Sequence, residues 1–219
     1  METRVHSCHP ESRRPGVLSL GLTAALAAAP LPLLAECLTQ GDLAKGLRAT
    51  YLDGSVVDYR SGGQDVVEVT EIPDPKAPQA LRFRSRYGIY DLSAQGLMQG
   101  VPQAGQVLDY TYSDPEGAEP PRPDPGKLWL GHSTTTYADG SSDSFVAVMV
   151  YGTEGTLRLG DCDYATVPVT VSYLAGESWS AQDYEWLSDL GIGLLTRREG
   201  SDAARPSAYR ITGLGRALP

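Results

Sequence analysis

The chain has 219 residues, of which 27 are acidic and 18 basic, for a formal charge of −9. That balance argues against a nucleic-acid partner, which calls for clustered Lys and Arg to neutralise phosphates, and against an anionic membrane surface. The length suffices for one ordinary domain that buries a core without many covalent staples.

At the N-terminus, Arg13 and Arg14 lead into an uncharged Leu- and Ala-rich stretch, Val17 to Ala35, interrupted by Pro30 and Pro32 and closed by the small Ala35. Basic residues, an apolar run and a small residue are the order of a cleavable signal peptide. A transmembrane anchor needs about 18 or more strongly apolar residues, and this run contains Gly, Ser, Thr and two prolines. We therefore expect residues 1–35 to be removed and the mature chain to begin at Glu36, in the periplasm or outside the cell. Leu34-Ala35-Glu36-Cys37 resembles a lipoprotein box, but the charged Glu36 stands where a small residue belongs. Ser12-Arg13-Arg14 resembles the start of a twin-arginine signal without its aromatic and leucine, so the general export route fits better. Removing residues 1–35 takes away three arginines and two glutamates, leaving 15 basic and 25 acidic residues and a net charge of −10. It also takes away Cys8. Cys37 and Cys162 then form an even pair in an oxidising compartment, which predicts one disulfide.

After the cleavage point, Thr39 is placed to cap a short helix through Asp42, Leu43 and Leu47. The remainder is punctuated by Gly, Pro, Asp and Ser clusters every dozen residues or so, with Val-, Thr- and Tyr-rich or alternating runs between them. Strands are predicted over 48–52, 56–60, 66–72, 81–87, 107–112, 128–137, 145–151, 156–159, 166–174, 183–187, 192–197 and 208–212. The fold class is mainly β: an antiparallel β-sandwich or curved half-barrel with one short N-terminal helix. Thr50-Tyr51-Leu52-Asp53-Gly54-Ser55 returns as Thr136-Tyr137-Ala138-Asp139-Gly140-Ser141, and more faintly as Ser172-Tyr173-Leu174-Ala175-Gly176-Glu177. We read these as hairpin tips, the Asp-Gly pairs as two-residue turns with both central residues at positive φ. The proline-rich stretch 114–126 reads as a long exposed loop or linker and suggests two β subdivisions within a single β-rich domain over 36–219. Val167, Val169, Val171 and Tyr173 share one face of a half-buried strand. Phe145 to Val150 is apolar on both faces, as in a central strand, whereas Pro168 places its own strand at an edge or a bulge.

Few residues point to chemistry. His132 is the one histidine after the cleavage point, and nothing in its spacing from Ser133 supports a catalytic triad. One His and two paired cysteines cannot assemble a zinc site, and neither Asp139-Gly-Ser-Ser-Asp143 nor Asp161-Cys-Asp163 has the layout of a calcium loop. Gly191-Ile-Gly193 lacks the third glycine of a dinucleotide fingerprint and reads as the return of a hairpin turn at 188–191. No cofactor, metal or catalytic residue is assigned. Arg82, Arg84 and Arg86 lie on one face of a strand and form a candidate anion site; the competing reading pairs them with Asp65, Glu68 or Glu71 of the preceding strand. Twelve tyrosines against two phenylalanines suit strand positions whose rings are buried while their hydroxyls reach a partner.

The hairpin Tyr184-Glu-Trp186-Leu-Ser-Asp-Leu190-Gly191, with Leu194-Leu195-Thr-Arg197 on its return, resembles hairpins of envelope half-barrel proteins of the lipoprotein-carrier type. The resemblance implies a curved sheet whose concave apolar face holds an acyl chain. Three functions follow as expectations. The first is a secreted or periplasmic non-catalytic binding or structural protein, whose partner is an unidentified envelope ligand or protein. The second is a carrier of lipid or another amphiphile. The third is a carboxylate-dependent envelope hydrolase, since acids distant in sequence can meet in the fold.

Overall fold

The computed structural model describes residues Glu36–Ala217; the expected signal peptide, residues 1–35, lies outside them. The described residues open with a 3-10 turn, Gln40–Ala44, followed by β1 Leu47–Tyr51, β2 Val56–Ser61, β3 Val66–Ile72, β4 Gln79–Arg86, β5 Tyr90–Met98, β6 Val101–Ser113 and β7 Leu128–Tyr137. Then come β8 Ser142–Tyr151, β9 Gly155–Leu159, β10 Cys162–Ala175, β11 Ser178–Leu187, β12 Ile192–Gly200, β13 Ser207–Ala208 and β14 Ile211–Arg216. The expected helix is thus a single turn. Asp42 reaches back to accept the Thr39 N–H (3.0 Å) and hydroxyl (3.2 Å), but Gly46, at φ 98°, stops the turn before Leu47, which enters β1.

All strands join one antiparallel sheet in the order β13-β12-β11-β10-β8-β7-β6-β5-β4-β3-β2-β1-β14, with β9 paired to β10. The ladder is not a closed ring. Its two ends, β13 and β14, are successive parts of one C-terminal stretch: Ser207 and Ala208 pair with Arg198 and Arg197 of β12, Tyr209 donates to the Thr196 carbonyl at 2.8 Å, and β14 pairs with β1. The sheet curls so that strands far apart in this order face one another. Tyr59 of β2 donates to the Gly193 carbonyl of β12 (3.0 Å), Tyr90 of β5 to the Tyr151 hydroxyl of β8 (2.8 Å), and the Tyr112 and Tyr173 hydroxyls of β6 and β10 meet at 2.9 Å.

Two hydrophobic clusters fill most of the interior. One gathers Leu47, Tyr59, Leu187, Ile192 and Leu194 near the N-terminal turn; the other gathers Tyr90, Trp129, Met149, Tyr151, Val169, Val171 and Trp186. The two sides of the sheet approach closely where Gly88 meets Gly193: a Cβ on Gly193 would lie 2.7 Å from Ile89 Cγ1 and 2.8 Å from the Gly88 carbonyl, so only glycine allows this approach.

The Asp-Gly tips differ from the two-residue turns expected. Gly54 (φ 89°) and Gly140 (φ 85°) are left-handed, but Asp53 and Asp139 are not. Each tip is a three-residue loop closed by its glycine, with Tyr51 N–H donating to Ser55 O (3.0 Å) and Tyr137 N–H to Ser141 O (2.9 Å). In both, the aspartate carboxylate accepts the backbone N–H and hydroxyl of the following serine, at 3.0 and 2.7 Å for Asp53 and 2.9 and 2.6 Å for Asp139.

Pro168 also sits otherwise than expected. Its strand is flanked on both sides, by β11 along one and by β9 and then β8 along the other. The proline falls where β9 has ended and β8 has not begun, and its carbonyl accepts the Gly152 N–H at 2.8 Å; no ladder donor is needed there. Residues 114–126 form a mostly exposed loop anchored on the sheet at a few points: Pro120 and Pro123 are buried, Glu119 pairs with Arg86, and the Arg122 guanidinium lies 5.0 Å from the Trp186 ring centroid. One sheet runs through the strands on both sides of this loop. Cys37 and Cys162 form a disulfide, with Cα atoms 5.6 Å apart, tying the N-terminal turn to β10.

Candidate functional site

Alternation along the inner face of β7 sets up the site. Trp129, Gly131, Ser133 and Thr135 all point inward and are buried, while Leu128, Leu130 and His132 are exposed. Trp129 takes the space a side chain at Gly131 would need, since a Cβ there would come within 2.4 Å of the indole. Moving towards the β7–β8 tip, the inner face changes from indole to hydroxyl. Two neighbouring strands change in the same direction, β10 from Val167 and Val169 to Tyr173 and β11 from Trp186 to Gln182 and Ser180, while β8 keeps an aromatic ring, Phe145, at this end. Register places Ser133 between Tyr112 and Phe145, and Tyr173 opposite Ser180.

This polar end encloses a cavity of about 220 Å³ lined by Tyr110, Tyr112, Tyr173, Phe145, Ser133, Thr135, Ser180, Gln182 and Asp91. Ser180 is exposed, so the cavity opens to solvent on that side. Ser133 and Thr135 are only 1% and 8% exposed; neither hydroxyl has a hydrogen-bond partner in the protein. Gln182 accepts the Tyr184 hydroxyl at 2.5 Å through its Oε1, leaving its amide hydrogens free.

Asp91 reaches the cavity from β5, beside the Tyr87–Gly88 turn. One carboxylate oxygen accepts the Ser85 hydroxyl at 2.5 Å. Burial raises its pKa to about 7; the Ser85 bond opposes this, the nearby Glu71 adds to it, and Arg198 lowers it. The surrounding phenols of Tyr112, Tyr173 and Tyr184 are all pushed up by burial and stay neutral.

A second cavity of about 180 Å³ lies towards the β1–β2 tip and is more apolar, with Val57, Ile72, Leu81 and Leu195 beside Tyr51, Glu71 and Arg198. Arg198 reaches Glu71 at 3.4 Å, while its Nε and the Tyr51 hydroxyl are buried without a partner. A space of about 20 Å³ between the two cavities is bounded by Asp91, Glu71 and Arg198, room for about one water.

The residues singled out from sequence fall elsewhere. Arg82, Arg84 and Arg86 lie on β4 in register with Thr70, Glu68 and Val66; Arg84 is exposed across from Glu68, and Arg86 pairs with Glu119. His132 and Ser133 occupy opposite faces of β7, one exposed and one buried. Asp139 is engaged within its turn, and among the described residues no cluster of three or more His, Cys, Asp or Glu side chains is placed to hold a metal. No described helix is long and apolar enough to cross a membrane. Asp91, Ser133, Thr135 and Gln182 were not anticipated as a group. No protein-family model, curated protein or solved structure matches the chain.

Proposed function

We propose that this is an exported binding protein, acting in the periplasm or outside the cell, which holds a small polar molecule within its β interior at the Asp91 cavity. The observation that carries this reading is the pair of hydroxyls, Ser133 and Thr135, more than nine-tenths buried and turned into a cavity without a partner in the protein. The two hydroxyl oxygens are not among the atoms buried without a partner; they face the open space of the cavity, where water can satisfy them and a ligand offering the same bonds can take its place. The disulfide agrees with an oxidising compartment.

The alternatives receive less support. Cavities of about 220 and 180 Å³ fall below the ~300–1,000 Å³ of drug-sized sites, and the larger one is walled by hydroxyls, which suits an acyl chain poorly. A carboxylate hydrolase needs two acids flanking one bond. Asp91 and Glu71 share only a space of about 20 Å³, too small for a glycosidic bond between them, and Glu71 is held by Arg198.

The test is extraction. Protein purified from the compartment to which it is exported is denatured, and released small molecules are measured by mass spectrometry. We expect about one equivalent of a small polar compound per chain, lost in Ser133→Phe, which fills the cavity, and reduced in Thr135→Val, which keeps its volume. Release of acyl lipid would move the assignment to a carrier. Release of nothing, with Ser133→Phe more stable than the parent, would make the cavity a packing defect and end the reading.

A further inference from the structure

We infer that the Asp91 cavity selects a neutral, hydroxyl-bearing ring of monosaccharide size; this rests on the binding reading above and names its ligand class. The argument is one of donors and acceptors. Asp91 has one carboxylate oxygen engaged by Ser85 and presents the other as an acceptor. Gln182 has its oxygen engaged by Tyr184 and presents donors only. Ser133, Thr135 and Tyr110 carry hydroxyls without protein partners, each able to donate or accept.

A ligand must therefore offer donors to Asp91 and acceptors to Gln182 within one small volume. An organic ammonium offers donors alone and would leave the Gln182 amide unpaired in a desolvated wall. An inorganic or carboxylate anion offers acceptors alone and would face Asp91, in a cavity whose lining contains no Lys, Arg or His. A purely apolar ring would leave every one of these groups unpaired. Hydroxyl groups donate and accept at once, and a ring carrying several of them meets the whole set.

The remaining wall fits the same class. Tyr110, Tyr112, Tyr173 and Phe145 supply flat aromatic surface for the C–H faces of a saturated ring. A volume of about 220 Å³ equals roughly seven waters at ~30 Å³ each, enough for one ring with its substituents and too little for an oligosaccharide. The charged groups facing Asp91 from neighbouring strands, Glu71 of β3 and Arg198 of β12, form a pair with each other, which leaves no free cation beside Asp91 to hold an anionic ligand.

The experiment titrates the protein with D-glucose, D-galactose, N-acetyl-D-glucosamine and myo-inositol, and separately with choline and with inorganic phosphate. Ring-proton shifts of Tyr110, Tyr173 and Phe145 are followed by NMR. We expect saturable shifts from at least one neutral polyol and none from choline or phosphate. Asp91→Asn and Gln182→Leu should each weaken binding about tenfold or more, while His132→Ala, on the outer face of β7, leaves it unchanged; thermal melts check that each variant is folded. Saturation by choline or phosphate without any polyol would overturn the ligand class while keeping the binding site. Shifts from none of the probes would overturn both. A polyol that binds equally well to both variants would place its site elsewhere and overturn the inference.

Discussion

At the scale of single residues, Asp91 couples the cavity to pH. Its carboxyl titrates near 7 in the folded protein, against about 3.9 in an unfolded chain. Between those values the folded state binds the proton that the unfolded state has released, so stability falls as pH rises from about 4 to about 7 and then levels off. Asn cannot ionise. Asp91→Asn should therefore match the parent in urea midpoint near pH 4, exceed it increasingly towards pH 7, and hold a constant advantage above that. A gain independent of pH would show that Asp91 is not the group responsible. The acid thus costs stability where it is charged, which is the usual sign of a residue kept for something other than folding.

At the scale of elements, the glycine tips carry a separable conformational term. An added Cβ at Gly54 or Gly140 meets nothing within 4 Å, yet both residues sit at positive φ; at Gly215 it also meets nothing, and φ is ordinary. Gly54→Ala and Gly140→Ala should each destabilise by about 1 kcal/mol, and Gly215→Ala should be near neutral in the same chemical denaturation series. Much at this scale was legible in the sequence. Alternation and punctuation located eleven strands, and ran the stretch that divides into β13 and β14 together as one over 208–212; the inward set Val167, Val169 and Val171 is buried as its period of two requires. β5 was missed although Tyr90, Leu92 and Ala94 alternate with Asp91, Ser93 and Gln95, because Tyr90–Met98 carries no β-branched residue. Its polar residue Asp91 is half-buried, enclosed by strands distant in sequence. The signal for the rest of the site was present in phase: Ser133 and Thr135 share the face of Trp129, but hydroxyls on an apolar face look like ordinary strand polarity until β6, β8, β10 and β11 are placed around them.

At the scale of the whole molecule, the Cys37–Cys162 bond spans 125 residues and fastens the N-terminal turn to β10, beyond the reach of the local hairpins. Closing so long a loop in the unfolded chain implies about 4 to 5 kcal/mol. The double variant Cys37→Ser/Cys162→Ser should lose stability of that order in urea and become insensitive to reductant, whereas the parent should fall to the variant's level when reduced. Equal midpoints for oxidised and reduced parent would mean that packing alone holds the turn.

The C-terminal stretch 207–216 hydrogen-bonds to β12 and then to β1, and in doing so it shields the flanks of the sheet from other molecules. A strand whose outward N–H and C=O groups are unpaired is a template for any passing β segment, and proteins cover such margins to prevent self-association. Here a single segment guards two margins at once. A chain ending at Pro206 should keep its disulfide and most of its hairpins but present two sticky borders, and should form concentration-dependent oligomers by light scattering. A truncated chain that stays monomeric at high concentration would mean that β12 and β1 can seal against each other unaided.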